Sequence, residues 1–423
     1  MMTCWTRRQF SCLAGAACVA ALRPQAARGQ ARARVIVIGG GVGGATAAKY
    51  LALGSEMLDV TLVEPKGRYT TCFFSNLYLA GLRSLESLTH GYETLAQRYG
   101  VKVIHDSVTT IDPVAKNVSL EGGAKLSYDR VVLAPGIAFK AGAIDGYDAA
   151  AIEIMPHAWT AGSQTSLLRR QLESMEDGGV FVLVAPPDPF RCPPGPYERA
   201  SLIAYYFKQY KPRAKILILD AKDTFFAQDV FEDGWSRHYR GMIEWLPGQF
   251  TGGIKALDVK GRLIKTVGDT FKADVANVIP AQEAGRLAHQ THLVDQSGWC
   301  PIDPMTFESK LQPGIHIIGD AAKAGNMAKS AFASNSQAKV CAFAILAALT
   351  GSERFAPHLF NTCFTLLAPD DAVTSAISYG AEPETIKVND FFLSKVGDKA
   401  ETRRAAAREA NGWYAAFTHD IFG

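Results

Sequence analysis

Residues 32–69 read RARVIVIGGGVGGATAAKYLALGSEMLDVTLVEPKGRY. The run Val35–Ile38 is apolar and β-branched, as a buried strand requires. Gly39, Gly41 and Gly44 follow as G-x-G-x-x-G, then a small-residue helix, then a second apolar strand ending at Glu64. Gly39 permits the tight turn, Gly41 lets a pyrophosphate approach the backbone, and Gly44 lets the helix pack on the strand. The N–H groups at the helix start are free to bind phosphate. Glu64 stands 20 residues after Gly44, where an acid accepts from a ribose hydroxyl. Strand, turn, helix, strand and acid in this order predict a dinucleotide-binding βαβ unit.

Two later stretches decide which dinucleotide. YDRVVLAPGI (128–137) is a strand ending in the tight turn Ala134-Pro135-Gly136, and LQPGIHIIGDAA (311–322) is a strand ending in Gly319-Asp320. Both resemble the auxiliary motifs of the two-dinucleotide-binding, glutathione-reductase-like α/β flavoproteins. That likeness implies FAD, with the Asp320 carboxylate on the ribityl chain. It also implies an FAD-binding domain split into 31–150 and 296–350, with a second domain over 151–295 and a C-terminal interface segment over 351–423.

The inserted domain has the first strand and helix of a nicotinamide-binding unit but not its glycines. Between GGVFVLVA and the helix stands PPDPFRCPPGPYERA (186–200). Proline has no N–H to give a phosphate and stiffens the loop. The expectation is a domain that keeps the nucleotide-binding shape without the nucleotide, its loop free to present Cys192.

Net charge is +3, and four arginines with no acid fall in the first 30 residues, so the remainder is −1. A near-neutral chain of 48% hydrophobic and 20% charged residues is globular and gives no reason to expect nucleic acid. Arg7-Arg8 before the apolar run Phe10–Leu22 reads as a twin-arginine export leader over 1–30, too short to span a bilayer. The expected location is the periplasm, where disulfides persist. No later uninterrupted apolar run is long enough to span, and the C-terminus, SKVGDKAETRRAAAREANGWYAAFTHDIFG, shows charges and no strongly apolar face.

Cys4, Cys12 and Cys18 leave with the leader, and Cys72, Cys192, Cys300, Cys341 and Cys363 remain. An odd count in an exported protein points to one thiol with another covalent fate. Cys72, in YTTCFFSN, either carries a thioether to the flavin or is a buried free thiol. Cys300 and Cys341 read as core thiols. The four non-flavin cysteines allow three full pairings; pairing Cys192 with Cys363 leaves the two core-like thiols free, and such a bridge is either redox-active or structural. No C-x-x-C-H haem motif, C-x-x-C pair or metal cluster stands in the sequence; His289 and His292 read as surface residues.

Taken together, VIVIGGGVGGATAAKYL, YTTCFFSN, PFRCPPGPYERAS, GWCPIDPMTFESKLQPGIHIIGDA, KSAFASNSQAKV, FNTC and HDIFG resemble the flavin subunits of flavocytochrome c sulfide dehydrogenases, relatives of sulfide:quinone oxidoreductases. The resemblance implies sulfide oxidation, FAD held covalently by Cys72, a redox-active Cys192–Cys363 disulfide, and Glu198 as a proton-handling group. It also implies a c-type cytochrome subunit that carries the haem, in a heterodimer without stable membrane insertion. Two alternatives stand beside it: a sulfide:quinone oxidoreductase, and a non-catalytic flavin-bearing assembly subunit.

Overall fold

The structure is a computed structural model and describes residues 32–423 except Phe355. The leader expected over 1–30 lies outside the described residues. A five-stranded parallel sheet runs in the order 315–317, 130–133, 33–38, 58–63, 102–104. Val35, Val37, Leu62, Val131 and Leu133 are fully buried within it, because helices cover a parallel sheet and its strands must be apolar on both faces. Helix Val42–Gly54 packs on the sheet and against helix Ala331–Thr350. Ser330 caps the latter, accepting from the Ala333 N–H at 3.0 Å, which satisfies one orphan donor of the first turn.

Helix Ala331–Thr350 is the one helix among the described residues long and apolar enough to cross a membrane. Ser334, Asn335, Ser336 and Gln337 interrupt its apolar pattern and are buried. Asn335 donates to Thr46 and Asp420, and Gln337 accepts from the Gly319 N–H. Its polar side chains therefore tie it to helix Val42–Gly54, to Asp420 near the C-terminus and to the turn at Gly319.

The inserted unit holds a four-stranded parallel sheet, 243–246, 215–219, 180–184, 275–278, and an antiparallel three-stranded sheet over 254–272. The chain leaves and re-enters the first unit through two strands, Ile137–Phe139 and Gln282–Ala284, which pair with each other antiparallel. This shifts both expected boundaries. Ile144 is buried in the core of the inserted unit, whereas Ala284, Ala288 and Leu293 are buried in the core of the first. The crossings therefore fall near 140 and 283, where pairing of the two connecting strands satisfies their backbone groups.

The C-terminal segment is a three-stranded antiparallel sheet, His358–Ala368, Asp371–Ala381 and Ile386–Leu393, followed by helix Ala400–Phe422. The helix does have an apolar face, contrary to the expectation from its charges. Ala406, Ala407, Ala410, Tyr414, Phe417, Ile421 and Phe422 point inward, while Arg404, Arg408 and Glu409 are exposed. Arg403 is the exception: it is 2% exposed and donates to Asp371 at 2.7 Å, which also bonds His238 on the inserted unit.

Candidate active site

The glycine turn is built as its spacing implies. Gly39 has φ +97°, and a Cβ there would stand 2.4 Å from the Ala134 carbonyl oxygen; a Cβ on Gly44 would stand 1.8 Å from that of Gly39. These two glycines are required by protein packing alone. Gly41 differs: a Cβ there would come no closer to protein than 3.6 Å, to Tyr69. Its side is open because it faces a cavity of about 330 Å³.

Gly39, Gly41, Glu64, the turn Ala134–Gly136, Gly319 and Asp320 line that cavity, and Gly44 lies beneath it. Glu64 uses one oxygen to accept from the Gly40 N–H at 2.7 Å and the other from the Lys66 N–H at 3.0 Å. Asp320 is buried with Oδ1 lacking any partner, and Oδ2 stands 3.8 Å from Arg191. Burial pushes its carboxyl up, and the charges of Arg191 and Lys329 oppose the push. A buried carboxylate oxygen without a donor is costly. A hydroxyl-bearing chain in the cavity supplies that donor, so the residues fit the ribityl and pyrophosphate parts of FAD.

The other end of the cavity gathers three thiols and a carboxyl group: Cys72, Cys192, Cys363 and Glu198. Cys72 precedes a turn in which Phe74 has φ +67° and Ser75 donates back to the Cys72 carbonyl through both N–H and Oγ. Cys192 sits in the proline loop at φ +60°, its N–H donating to the Lys329 carbonyl at 2.7 Å. Gly195 begins the following helix, and a Cβ there would meet the Trp159 ring at 2.7 Å and the Cys192 sulfur at 3.0 Å. Glycine at this place lets the helix start close under the thiol.

Cys363 lies on strand His358–Ala368, its sulfur 3.6 Å from the Thr365 hydroxyl. The disulfide expected between Cys192 and Cys363 is not formed; both are free cysteines that line one cavity. Burial pushes Cys363 up to about 11, opposed by the Thr365 hydrogen bond and reinforced by Glu198. Burial raises Cys192 well above the usual thiol range, with Cys363 and Glu198 adding and Arg191 opposing. Cys300 and Cys341 are fully buried, as core thiols.

Glu198 follows Cys192 on helix Gly195–Tyr210. Its Oε1 accepts from the Leu366 N–H at 2.9 Å and its Oε2 from Asn76 Nδ2 at 2.8 Å. Burial raises its carboxyl, and these two donors and Arg199 oppose the rise. The sequence reading missed Asn76, Arg191 and Arg199. Arg199 is 2% exposed, and its guanidinium donates to Asn76, to Asn277 and to the carbonyls of His157 and Ala158. An arginine on the apolar side of a helical pattern was the available signal.

In the inserted unit the acid that would face a nucleotide is already bonded to protein side chains. Asp220 directly follows strand Lys215–Leu219, where a nucleotide-binding unit offers an acid to a ribose. It is fully buried and already accepts from Tyr197 Oη, Trp245 Nε1 and Lys222 Nζ. Tyr197 in turn stacks on Phe225 with ring centres 3.7 Å apart. NADH or NADPH added anaerobically is expected to leave the flavin spectrum unchanged. Stoichiometric bleaching by either would show that the unit takes a nucleotide after all.

These features define the flavoprotein class of pyridine nucleotide-disulphide oxidoreductases, whose family model matches residues 33–167. The sulfide:quinone oxidoreductase of Aquifex aeolicus superposes with a TM-score of 0.74 at 15% identity, over 92% of this chain and 91% of that one. The putidaredoxin reductase–putidaredoxin complex gives 0.64 at 16% identity, over 89% and 94%. At these identities the likeness concerns the fold. The chain belongs to the family of sulfide dehydrogenase (flavocytochrome c) flavoprotein chains: the model of their central part matches residues 165–280 and that of their flavin-binding part 355–422. The flavoprotein chain from Chlorobaculum thiosulfatiphilum is 58% identical over 43 residues, which is 90% of that sequence and 10% of this one. The mitochondrial sulfide:quinone oxidoreductase of Mus musculus is 24% identical over 306 residues, 68% of this chain and 65% of its own length. The sulfide-quinone reductase of Aquifex aeolicus is 29% identical over 183 residues, 43% and 41% respectively.

Proposed function

We propose that this chain is the flavin-bearing subunit of a sulfide-oxidising dehydrogenase that passes electrons to a c-type cytochrome. The observation that carries the reading is the convergence of Cys72, Cys192, Cys363 and Glu198 on the cavity that also holds the unpartnered oxygen of Asp320. The glycine turn, Glu64 and Asp320 hold FAD, and Cys72 anchors it covalently. Bound FAD supplies two-electron acceptance and one-electron release.

The protein's own part is thiol–disulfide exchange. In the oxidised pair, hydrosulfide attacks one sulfur and the S–S bond breaks. The attacked cysteine becomes a persulfide, and the bond's electron pair stays on the other cysteine as a thiolate. Sulfide sulfur is thereby oxidised by two electrons and the disulfide reduced by two. Glu198 takes the proton that hydrosulfide gives up. The paired prolines around Cys192 and its backbone bond to Lys329 hold that sulfur at the cavity wall.

A leader carrying Arg7-Arg8 delivers the folded protein to the periplasm in this reading, and the partner brings the haem. A sulfide:quinone oxidoreductase is the second reading, favoured by the relatives that bear that name. The inward apolar face of helix Ala400–Phe422 and its charged outer face support a soluble acceptor.

Anaerobic micromolar sulfide is expected to bleach the flavin, and cytochrome c to accept the electrons faster than a quinone. Acid-precipitated protein should keep its flavin on the polypeptide, and Cys72→Ser should release it. Free FAD from the wild type would remove the covalent link. A preference for quinone would install the second reading, and absence of bleaching would leave the non-catalytic flavin subunit.

A further inference from the structure

Three cysteine-bearing segments meet at one carboxyl group. Glu198 stands on the helix that follows Cys192. Its Oε1 is held by Leu366, three residues beyond Cys363, and its Oε2 by Asn76, four residues beyond Cys72. The titratable and charged groups around it are Cys192 and Arg199 on its own segment and Cys363 on the facing strand, with Cys72 and Arg191 on the same cavity wall.

The Asn76 amide has its orientation imposed. Arg199 only donates, and its Nε gives a hydrogen bond to Asn76 Oδ1 at 3.0 Å. Asn76 must therefore turn its NH₂ to Glu198. The remaining Arg199 donors are tied to Asn277 and to the His157 and Ala158 carbonyls, and Asn277 is fixed by donating to Pro156 and His157. The guanidinium is locked, and the amide with it.

A neutral amide between Arg199 and Glu198 does something neither a charge nor an apolar group can do. A direct Arg–Glu ion pair would pin the carboxylate ionised. An apolar residue would leave one buried oxygen without a donor, and the carboxyl would keep its proton. The amide gives one hydrogen bond to the ionised form and brings no charge.

We propose that Asn76 is a positioning residue that sets the protonation equilibrium of Glu198, adding to the longer-range charge of Arg199 a hydrogen bond of fixed geometry in place of a direct ion pair. This rests on the proposed reaction, in which Glu198 takes the proton of hydrosulfide. The working form is the carboxylate, so the rate of bleaching falls as pH drops through its folded pKa. Anything that raises that pKa moves the fall to higher pH.

Asn76→Asp places a carboxylate against Arg199 and within hydrogen-bond distance of Glu198. Two carboxyls so close cannot both ionise, and the one without the arginine keeps the shared proton. The acid limb of the sulfide-bleaching profile is expected to move up by at least about one pH unit. Asn76→Ser, which removes the reach of the donor, should move it in the same direction by less. The infrared stretch of the protonated Glu198 carboxyl, assigned by its loss in Glu198→Gln, should titrate with the same shifts in flavin-replete protein. If Asn76→Asp does not retain flavin, Asn76→Ser is read in the same two ways. Profiles and carboxyl midpoints that coincide with wild type would overturn the inference while sulfide bleaching stands. A shifted carboxyl midpoint in a protein that sulfide never bleaches would keep the positioning role and overturn the sulfide reading instead.

Discussion

Replacing Cys192 by serine is expected to leave a folded, yellow protein that sulfide reduces at least about a thousand-fold more slowly than wild type. Serine keeps the size of the side chain but cannot enter a disulfide, so hydrosulfide meets no electrophilic sulfur. The loop keeps its shape, because its anchors are backbone bonds: Cys192 N–H to the Lys329 carbonyl, and Gly195 N–H to the Cys192 carbonyl. Cys363→Ser should do the same, since strand pairing with Asp371–Ala381 holds that position. The double variant should be no slower than either single one, because the two sulfurs act as one unit. In the oxidised protein, losing a cross-link over a loop of roughly 170 residues removes up to about 4–5 kcal/mol of stability. Flavin content and unfolding are therefore measured first, and the kinetics on flavin-replete protein. Wild-type bleaching rates in Cys192→Ser would make the thiol pair structural.

The legible parts of this site are those whose chemistry is local in the chain. Gly39 and Gly44 are dictated by contacts within a few residues and one neighbouring strand, so their spacing alone announces the turn. The proline loop announced the lost nucleotide fingerprint in the same way. Neither spacing nor composition showed that Asp220 is already satisfied by Tyr197, Trp245 and Lys222, because Tyr197 and Trp245 come from a helix and a strand distant in the chain. Asn76 and Arg199 were hidden for the same reason. Their bond joins residues 123 positions apart; Asn76 alone reads as an ordinary polar residue on a helix, and the place of Arg199 on the apolar side of its helix names no partner. The helix Ala400–Phe422 misled by composition: its charged residues obscure an apolar face, yet helical periodicity sorts Arg404 and Arg408 outward and Tyr414, Phe417 and Phe422 inward. The domain boundaries shifted because a connecting segment belongs to whichever core buries its side chains, and Ile144, just beyond strand Ile137–Phe139, found the inserted one.

Phe422→Ala is expected to cost about 3–5 kcal/mol, the range for emptying a buried phenylalanine site. Phe422 is 5% exposed and lies among three aromatic groups. His90 stacks on it with ring centres 5.1 Å apart and planes 2° apart, Tyr69 lies at 5.7 Å, and Tyr92 meets it edge-on at 6.3 Å. The last turn of the helix does not depend on this ring to stay in place. Lys49 donates to the His419, Asp420 and Gly423 carbonyls, and Asp420 accepts from Tyr50 and Asn335. A lysine on the final carbonyls also favours the helix dipole. The variant should therefore fold with the helix docked and a void under the ring. That void lies directly behind the flavin site. Tyr92 donates to the Gly40 carbonyl in the glycine turn, and Tyr69 lines the cavity opposite Gly41. Loss of the ring frees both tyrosines to move, so the fraction of chains that retain flavin should fall along with stability. Phe422→Leu, which keeps most of the volume, should cost less than about 1.5 kcal/mol and keep flavin incorporation near wild type. Chemical unfolding of the flavin-replete fraction and the flavin-to-protein ratio of freshly isolated protein measure the two effects separately. Equal stability and flavin content in Phe422→Ala and wild type would mean that the C-terminal turn supports neither the turn at Gly40 nor the wall at Tyr69.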